Sequence, residues 1–194
     1  ALAANGIAAN AAITTHTAAA AGLLSWLLVD FIRTRHATAV GAATGAVAGL
    51  VAITPAAGYV SPMSAIAIGC IGSVCAYAAI QLRARTSVDD ALDVFACHGV
   101  SGIVGALATG VFATKLVNKN GADGLLTGNV HLLGVQAVAV LATIAFVSVM
   151  TPAVVLMVNA VTTIRISLAD ELSGVDTSEH REEGYHAGGL SEFA

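Results

Sequence analysis

Long apolar stretches with almost no charge dominate this chain of 194 residues. Residues 93–113, DVFACHGVSGIVGALATGVFA, show the pattern, since one histidine, His98, interrupts an otherwise apolar run rich in glycine. The hydrocarbon core of a bilayer needs about 20 apolar helical residues to cross it. Charged residues make up 10% of the chain, against about a quarter in soluble domains. The sequence therefore predicts an all-α, polytopic transmembrane helix bundle in a lipid bilayer.

Charged and turn-forming stretches divide the apolar sequence into segments of spanning length. The predicted transmembrane helices cover about 7–32, 37–53, 62–82, 90–114 and 130–164. Together they form a transmembrane region, 1–165, which is followed by a polar and acidic tail, 166–194. The fifth segment exceeds one straight crossing, because a helix rises 1.5 Å per residue, and Pro152 marks the expected kink. The chain starts inside the pattern without a methionine, so we expect a fragment.

The basic residues predict an orientation across the membrane. Arginines follow the first, third and fifth segments, whereas lysines follow the fourth. The arginines are Arg33, Arg35, Arg83, Arg85, Arg165 and Arg181, and the lysines are Lys115 and Lys119. Cytoplasmic loops carry the excess of basic residues, so we predict a multi-pass cell-membrane protein with its C-terminus in the cytoplasm. The acidic composition of the tail is typical of a solvated, unstructured end.

Small residues at helical spacing predict close helix packing. Gly41, Gly45 and Gly49 lie four residues apart, as in the GxxxG motif that lets helix backbones approach each other in membranes. Gly102, Ala106 and Gly110 repeat the pattern in the fourth segment. Trp26 and Tyr59 lie near predicted span ends, where aromatic residues anchor proteins at the membrane interface.

Acidic residues precede the fourth segment. Ser87 and Asp90 have the spacing of a capping box, and Asp89, Asp90 and Asp93 place negative charge near the helix start, where the helix dipole favours it. A carboxylate at a helix terminus explains Asp93 as well as a functional role does, and both interpretations stay open.

His98 is the candidate functional residue within the apolar segments. Ideal helical spacing places Ser101, Gly102 and Gly105 on its face, next to a tightly packed neighbour or a narrow channel. Polar groups in the membrane interior are costly and commonly line a pathway or pair with a partner. Neutral imidazole donates through one ring nitrogen and accepts through the other. The chemistry therefore allows a role in a solute or proton pathway, or an interhelical hydrogen bond.

Other chemistry has little support in the sequence. Cys70, Cys75 and Cys97 have no CxxC spacing and no partner histidines at metal-site spacing, which is typical of small buried residues rather than metal ligands. No HExxH motif occurs within the spans. We expect no enzymatic activity, no metal site, no cofactor and no nucleic-acid partner.

Four stretches together resemble the Amt/Mep/Rh ammonium transporter family, in particular its Amt branch. They are ALAANG at the start, AVGAATGAVAGLVAITPAAGYVSPMSAIAIG at 39–69, DVFACHGVSGIVGALATGVFA at 93–113 and GVDTSEHREEGY at 174–185. The resemblance implies a fold of eleven transmembrane helices, of which this chain matches helices seven to eleven and the cytoplasmic tail. It also implies a homotrimer with one pore in each subunit.

The resemblance assigns roles to residues of the fourth segment. His98 matches the second histidine of the family's pair in the pore, whose first member belongs to the part that this chain lacks. Asp93, Gly99 and Gly102 match positions near the pore with structural roles. The implied function is an ammonium transporter or channel that moves ammonia through an apolar pore after deprotonation. An ammonium sensor with the same fold is the alternative.

The resemblance also assigns roles to the tail. Asp176, His180 and Tyr185 match positions that contact the transporter body and the neighbouring subunit. Ser178 stands where plant relatives carry a regulatory threonine. A nitrogen-signalling protein of the PII family is an expected partner at this face.

Overall fold

The computed structural model describes residues 3–182. In order they form α1 (Gly6–Thr34), α2 (Ala39–Ile53), α3 (Pro62–Arg83), a π-helical stretch (Phe95–Val100), α4 (Ser101–Phe112), a 3₁₀ turn (Leu125–Thr127), α5 (Val130–Asn159), α6 (Leu168–Ser173) and a π-helical turn (Asp176–His180). The described residues contain no strand, which confirms the predicted all-α class. The chain divides into two compact units after Thr143.

Within residues 3–182, four helical segments are long and apolar enough to cross a membrane. They are Gly6–Thr34, Pro62–Arg83, Phe95–Phe112 and Val130–Asn159. The predicted second span is shorter, since α2 has 15 residues and rises about 22 Å at 1.5 Å per residue. The chain continues from it through turns to Ala56 and Val60, which are fully buried.

The predicted glycine ridge of α2 packs directly against α1. A Cβ atom on Gly45 would overlap Trp26, and one on Gly49 would overlap the carbonyl of Ala18. Higher residue numbers in α2 therefore meet lower numbers in α1, so the two helices are antiparallel. This contact confirms the packing predicted from the GxxxG spacing.

α1 and α3 run side by side in the same direction. The Ser73 hydroxyl donates a hydrogen bond of 2.8 Å to the carbonyl of Gly22, and the rings of Trp26 and Tyr77 meet edge to face at 5.0 Å. Trp26 is 6% exposed, so its predicted role as an interface anchor is wrong. Small residues on the neighbouring helices leave space for the indole inside the bundle.

The two ends of the first unit differ in the basic residues that they carry. The guanidinium of Arg33 lies 5.5 Å from the ring centre of Tyr77, so the arginine-bearing ends of α1 and α3 lie together. At the other end, the backbone N–H of Thr114 donates to the carbonyl of Tyr59, and the Asn10 side chain donates to the carbonyl of Val60. Lys115 follows at this end, as expected for helices that alternate in direction.

The second unit contains the end of α5 and part of the predicted tail. Ser167 caps α6, because its hydroxyl accepts a hydrogen bond from the N–H of Asp170 and donates one to the Asp170 carboxylate. Such a cap satisfies a backbone donor that the first helical turn leaves free. The composition-based expectation of an unstructured tail is therefore wrong for residues 167–180.

Candidate functional site around His98

His98 lies in the π-helical stretch Phe95–Val100, immediately before α4. The helical part begins later than predicted from residue 90. Asp90 precedes it and caps it, with its two carboxylate oxygens accepting from the N–H groups of Val94 at 2.9 Å and Phe95 at 3.0 Å. Asp90 therefore takes the capping position that the sequence suggested for Ser87.

His98 and the residues expected on its face have different surroundings. Ser101 is fully buried, and its hydroxyl donates to the Gly72 carbonyl of α3 at 3.4 Å. Gly105 packs on the backbone of Ala52 in α2, since a Cβ atom there would overlap that residue. His98 is exposed and borders residues of α2 as well. His98 and Gly105 therefore both lie toward α2, whereas the Ser101 side chain contacts α3.

The exposed imidazole borders a groove of about 360 Å³. One wall comes from α2 and the other from the chain around the start of the π-helical stretch. The lining residues are Val40, Ala43, Thr44, Val47, Ala91, Leu92, Asp93, Cys97 and His98. The Thr44 hydroxyl donates to the carbonyl of Val40 in its own helix, so this wall offers mainly apolar surface. Within residues 3–182, the His98 ring has no hydrogen-bond partner.

Asp93 occupies the turn before this helix in an unusual backbone conformation. Its φ angle is +53°, in the left-handed region that residues other than glycine rarely adopt. Its carboxylate forms an ion pair with Arg83, with 2.6 Å between Oδ1 and Nη2, and the two side chains are 28% and 30% exposed. Arg83 is the last residue of α3. Sequence reasoning missed this arginine as part of the site, because no motif links it to Asp93.

The two glycines predicted near the pore have different surroundings. A Cβ atom on Gly99 would lie 3.0 Å from the ring of Phe95, whereas one on Gly102 would lie 3.9 Å from Val51. The second distance is an ordinary van der Waals contact. The described structure thus gives a packing reason for glycine at 99 and none at 102.

The other predicted site residues lie in the tail, in the second unit. Asp176, Ser178 and His180 belong to the π-helical turn Asp176–His180. The Ser178 hydroxyl donates to the carbonyl of Gly174 at 3.1 Å. Tyr185 lies outside the described residues. Across the described range, no three histidine, cysteine, aspartate or glutamate side chains are placed to hold a metal ion together.

The wall that α2 contributes to the groove was not predicted. Its lining positions Val40, Ala43, Thr44 and Val47 follow one another by three, one and three residues, which is one face of a helix. The glycine ridge at Gly41, Gly45 and Gly49 occupies another face and turns toward α1. The helical spacing of these four positions was therefore a feature of the sequence from which this wall could have been predicted.

Comparisons with known proteins place the chain in a family. The sequence model of the Ammonium Transporter Family matches residues 1–185. An ammonium transporter of Bacillus subtilis is 45% identical over 186 residues, which cover 95% of this chain and 46% of that protein. The crystal structure of Saccharomyces cerevisiae Mep2 has a TM-score of 0.80 and 34% identity, covering 86% of this chain and 39% of that one.

A third similarity is to a protein described as a sensor Amt protein. Its structure has a TM-score of 0.79 and 28% identity, and the match covers 91% of this chain and 43% of that one. This chain therefore spans about half the length of the proteins that it matches or less. The family match extends over nearly all of the sequence, including the segment with His98. The chain belongs to the ammonium transporter family.

Proposed function

We propose that the full-length protein containing this chain moves ammonium nitrogen across the membrane as ammonia, and that His98 lines the pathway. One observation carries this proposal. An imidazole without a described hydrogen-bond partner is exposed in a groove whose other lining residues are mainly apolar. The match to the Ammonium Transporter Family supports the substrate, and a family of transporters agrees with the expectation that the chain is not an enzyme.

The chemistry of the groove favours a neutral solute. An unpaired cation is expensive in an apolar, water-poor passage. When ammonium gives up a proton before it enters the passage, it becomes neutral ammonia, and the cost of placing an unpaired cation there is avoided. Ammonia can then donate a hydrogen bond to one nitrogen of His98 or accept one from the other. The opposite wall and the second pore histidine implied by the resemblance would come from sequence outside this chain.

The proposal includes an arrangement in the membrane. Five crossings within residues 1–165 and a cytoplasmic tail from residue 166 account for the arginine-rich and lysine-bearing ends. Three copies of the full-length protein would assemble, each with its own pathway. In the tail, Asp176, Ser178, His180 and Tyr185 are the proposed contacts with the body, the neighbouring subunit and a PII-family regulator.

Transport is the preferred proposal over ammonium sensing. The similarity to the sensor Amt protein keeps sensing as a second candidate. The Bacillus subtilis transporter is 45% identical to this chain and the sensor Amt protein 28%, which favours transport. Flux through the reconstituted protein separates the two, because a sensor that conducts nothing would give background uptake.

Filling the groove tests whether it is the pathway. Ala43 is exposed on the α2 wall, so Ala43→Trp should place an indole ring in the groove beside His98. We expect ammonium uptake by the full-length protein in vesicles to fall to background while the protein still folds and assembles.

The matched control is Ala20→Trp. Ala20 is an exposed alanine of α1 that does not line the groove, and its replacement should leave uptake near the wild-type rate. Wild-type uptake by folded Ala43→Trp protein would contradict the assignment of the groove.

A further inference from the structure

The start of the helix that carries His98 is held by two neighbouring carboxylates with different contacts. Asp90 caps the helix through the N–H groups of Val94 and Phe95. Asp93 pairs with Arg83 at the end of α3. The first contact is local to the helix start. The second ties that start to another helix, and therefore fixes where the helix begins relative to the rest of the bundle.

The backbone at Asp93 depends on this support. A left-handed conformation at a residue other than glycine is unfavourable and persists where the surroundings over-determine it. Asp93 has a φ angle of +53°, and its side chain is 28% exposed in the ion pair. Nη2 of Arg83 makes one charged contact with this carboxylate, while the buried Nε of Arg83 has no hydrogen-bond partner among the described residues. Arg83 is thus placed to hold the strained turn through that contact.

The strained turn is linked to His98 through the backbone. The carbonyl of Asp93 accepts a hydrogen bond of 3.0 Å from the N–H of Cys97, the residue that precedes His98. Asp93 and His98 also line the same groove. A change of backbone conformation at Asp93 would therefore move the beginning of the π-helical stretch, which carries His98.

We infer that Arg83 and Asp93 are positioning residues that hold the start of the π-helical stretch in place and thereby keep residue 98 at the groove. Loss of the ion pair would let this start shift relative to α2 and would change the exposure of residue 98 in the groove. The effect on transport rests on the proposed function. The effect on the exposure of residue 98 does not, so the two can be tested separately.

The experiment measures the accessibility of position 98 in the full-length protein. A single cysteine is introduced as His98→Cys in a background whose native cysteines are replaced by alanine. Its reaction rate with a small methanethiosulfonate reagent is then compared with and without Arg83→Met. We expect the rate to change by about threefold, the factor that corresponds to loss of a partly exposed ion pair. Asp93→Asn should change it in the same direction, and Arg83→Lys should restore part of it.

Two controls separate positioning from a general loss of structure. Arg85→Met removes an exposed arginine two residues further on and should leave the rate at position 98 unchanged. A cysteine at Leu116, which is 95% exposed, should react equally in all backgrounds. With His98 retained, Arg83→Met should lower ammonium uptake, and Arg83→Lys should recover part of it.

The possible outcomes are distinct. An unchanged rate at position 98 in folded Arg83→Met protein overturns the positioning role, whatever happens to transport. A changed rate with unchanged uptake supports positioning and contradicts the proposed role of His98 in transport. If Arg83→Met, Asp93→Asn and Arg83→Lys all fail to fold, the pair is a folding element and the inference is overturned.

Discussion

Replacing His98 with alanine in the full-length protein is expected to reduce ammonium uptake by about tenfold or more. The ring offers a donor and an acceptor in a groove lined mainly by apolar groups. Loss of one hydrogen bond worth about 1.5 kcal/mol at the rate-limiting barrier corresponds to about tenfold in rate. Because the His98 ring has no hydrogen-bond partner within residues 3–182, its removal breaks no described hydrogen bond, and we expect folding to be retained.

A second substitution and a matched control sharpen this test. His98→Asn keeps one donor and one acceptor, so it should retain more uptake than His98→Ala. His16→Ala removes another exposed histidine, whose Nδ1 lies 3.3 Å from the Ala12 carbonyl of its own helix, and should leave uptake unchanged. Uptake of ammonium and methylammonium in vesicles provides the measurement. Equal uptake by wild-type and His98→Ala protein would remove His98 from the pathway.

Replacing Gly105 with alanine is expected to give the largest loss of stability. A Cβ atom at this position would overlap the carbonyl of Ala52 in α2, so the two helix backbones would have to separate. Overpacking of this kind costs about 1–3 kcal/mol, which outweighs the gain of about 1 kcal/mol from replacing a helical glycine. We expect a lower Tm for the purified full-length protein in detergent.

Gly134→Ala is the matched control because it makes the same chemical change inside another helix. A Cβ atom on Gly134 meets nothing within 4 Å, so its replacement should leave the Tm unchanged or raise it slightly. If Gly105→Ala and Gly134→Ala shift the Tm equally, α2 and α4 do not approach as closely as described here. Because α2 also forms a wall of the groove, Gly105→Ala should lower uptake as well as stability.

The sequence predicted those features that short, regular patterns encode. Long uncharged stretches were sufficient for the all-α class, and the spacing of Gly41, Gly45 and Gly49 was sufficient for close packing of α2. A GxxxG motif specifies its contact directly, because the absence of side chains is what allows the backbones to meet. The family followed from four ordered stretches, and the match over residues 1–185 confirms it.

The π-helical stretch that carries His98 could not be predicted from the same kind of pattern. Ideal helical spacing assumes a regular α-helix from about residue 90, whereas the structure has a turn at Asp93 followed by the π-helical stretch. Nothing in the composition of FACHGV specifies these backbone hydrogen bonds. A periodicity argument assumes a regular helix and therefore fails where the helix is irregular.

Burial of Trp26 and the pairing of Arg83 with Asp93 depended on contacts between elements. Tryptophan near a span end is typical of an interface anchor, yet Trp26 is buried because Gly41 and Gly45 on α2 leave room for its indole beside Tyr77 of α3. The ion pair forms because the loop between α3 and the next helix brings Asp93 back to Arg83, and no local motif specifies the path of that loop. Both features depend on how separate elements pack together, so the sequence pattern alone did not predict them.

The 15 residues of α2 have a consequence for the distance over which a solute is separated from water. The helix rises about 22 Å, whereas the hydrocarbon layer is about 30 Å thick. The proposed passage, if bounded by α2, would therefore have a wall shorter than the lipid around it, and we expect water to enter beyond one or both ends of that wall. In such a passage a thinner dehydrated zone would lower the electrostatic barrier for any proton that follows the uncharged molecule, and would concentrate the membrane potential over a shorter path.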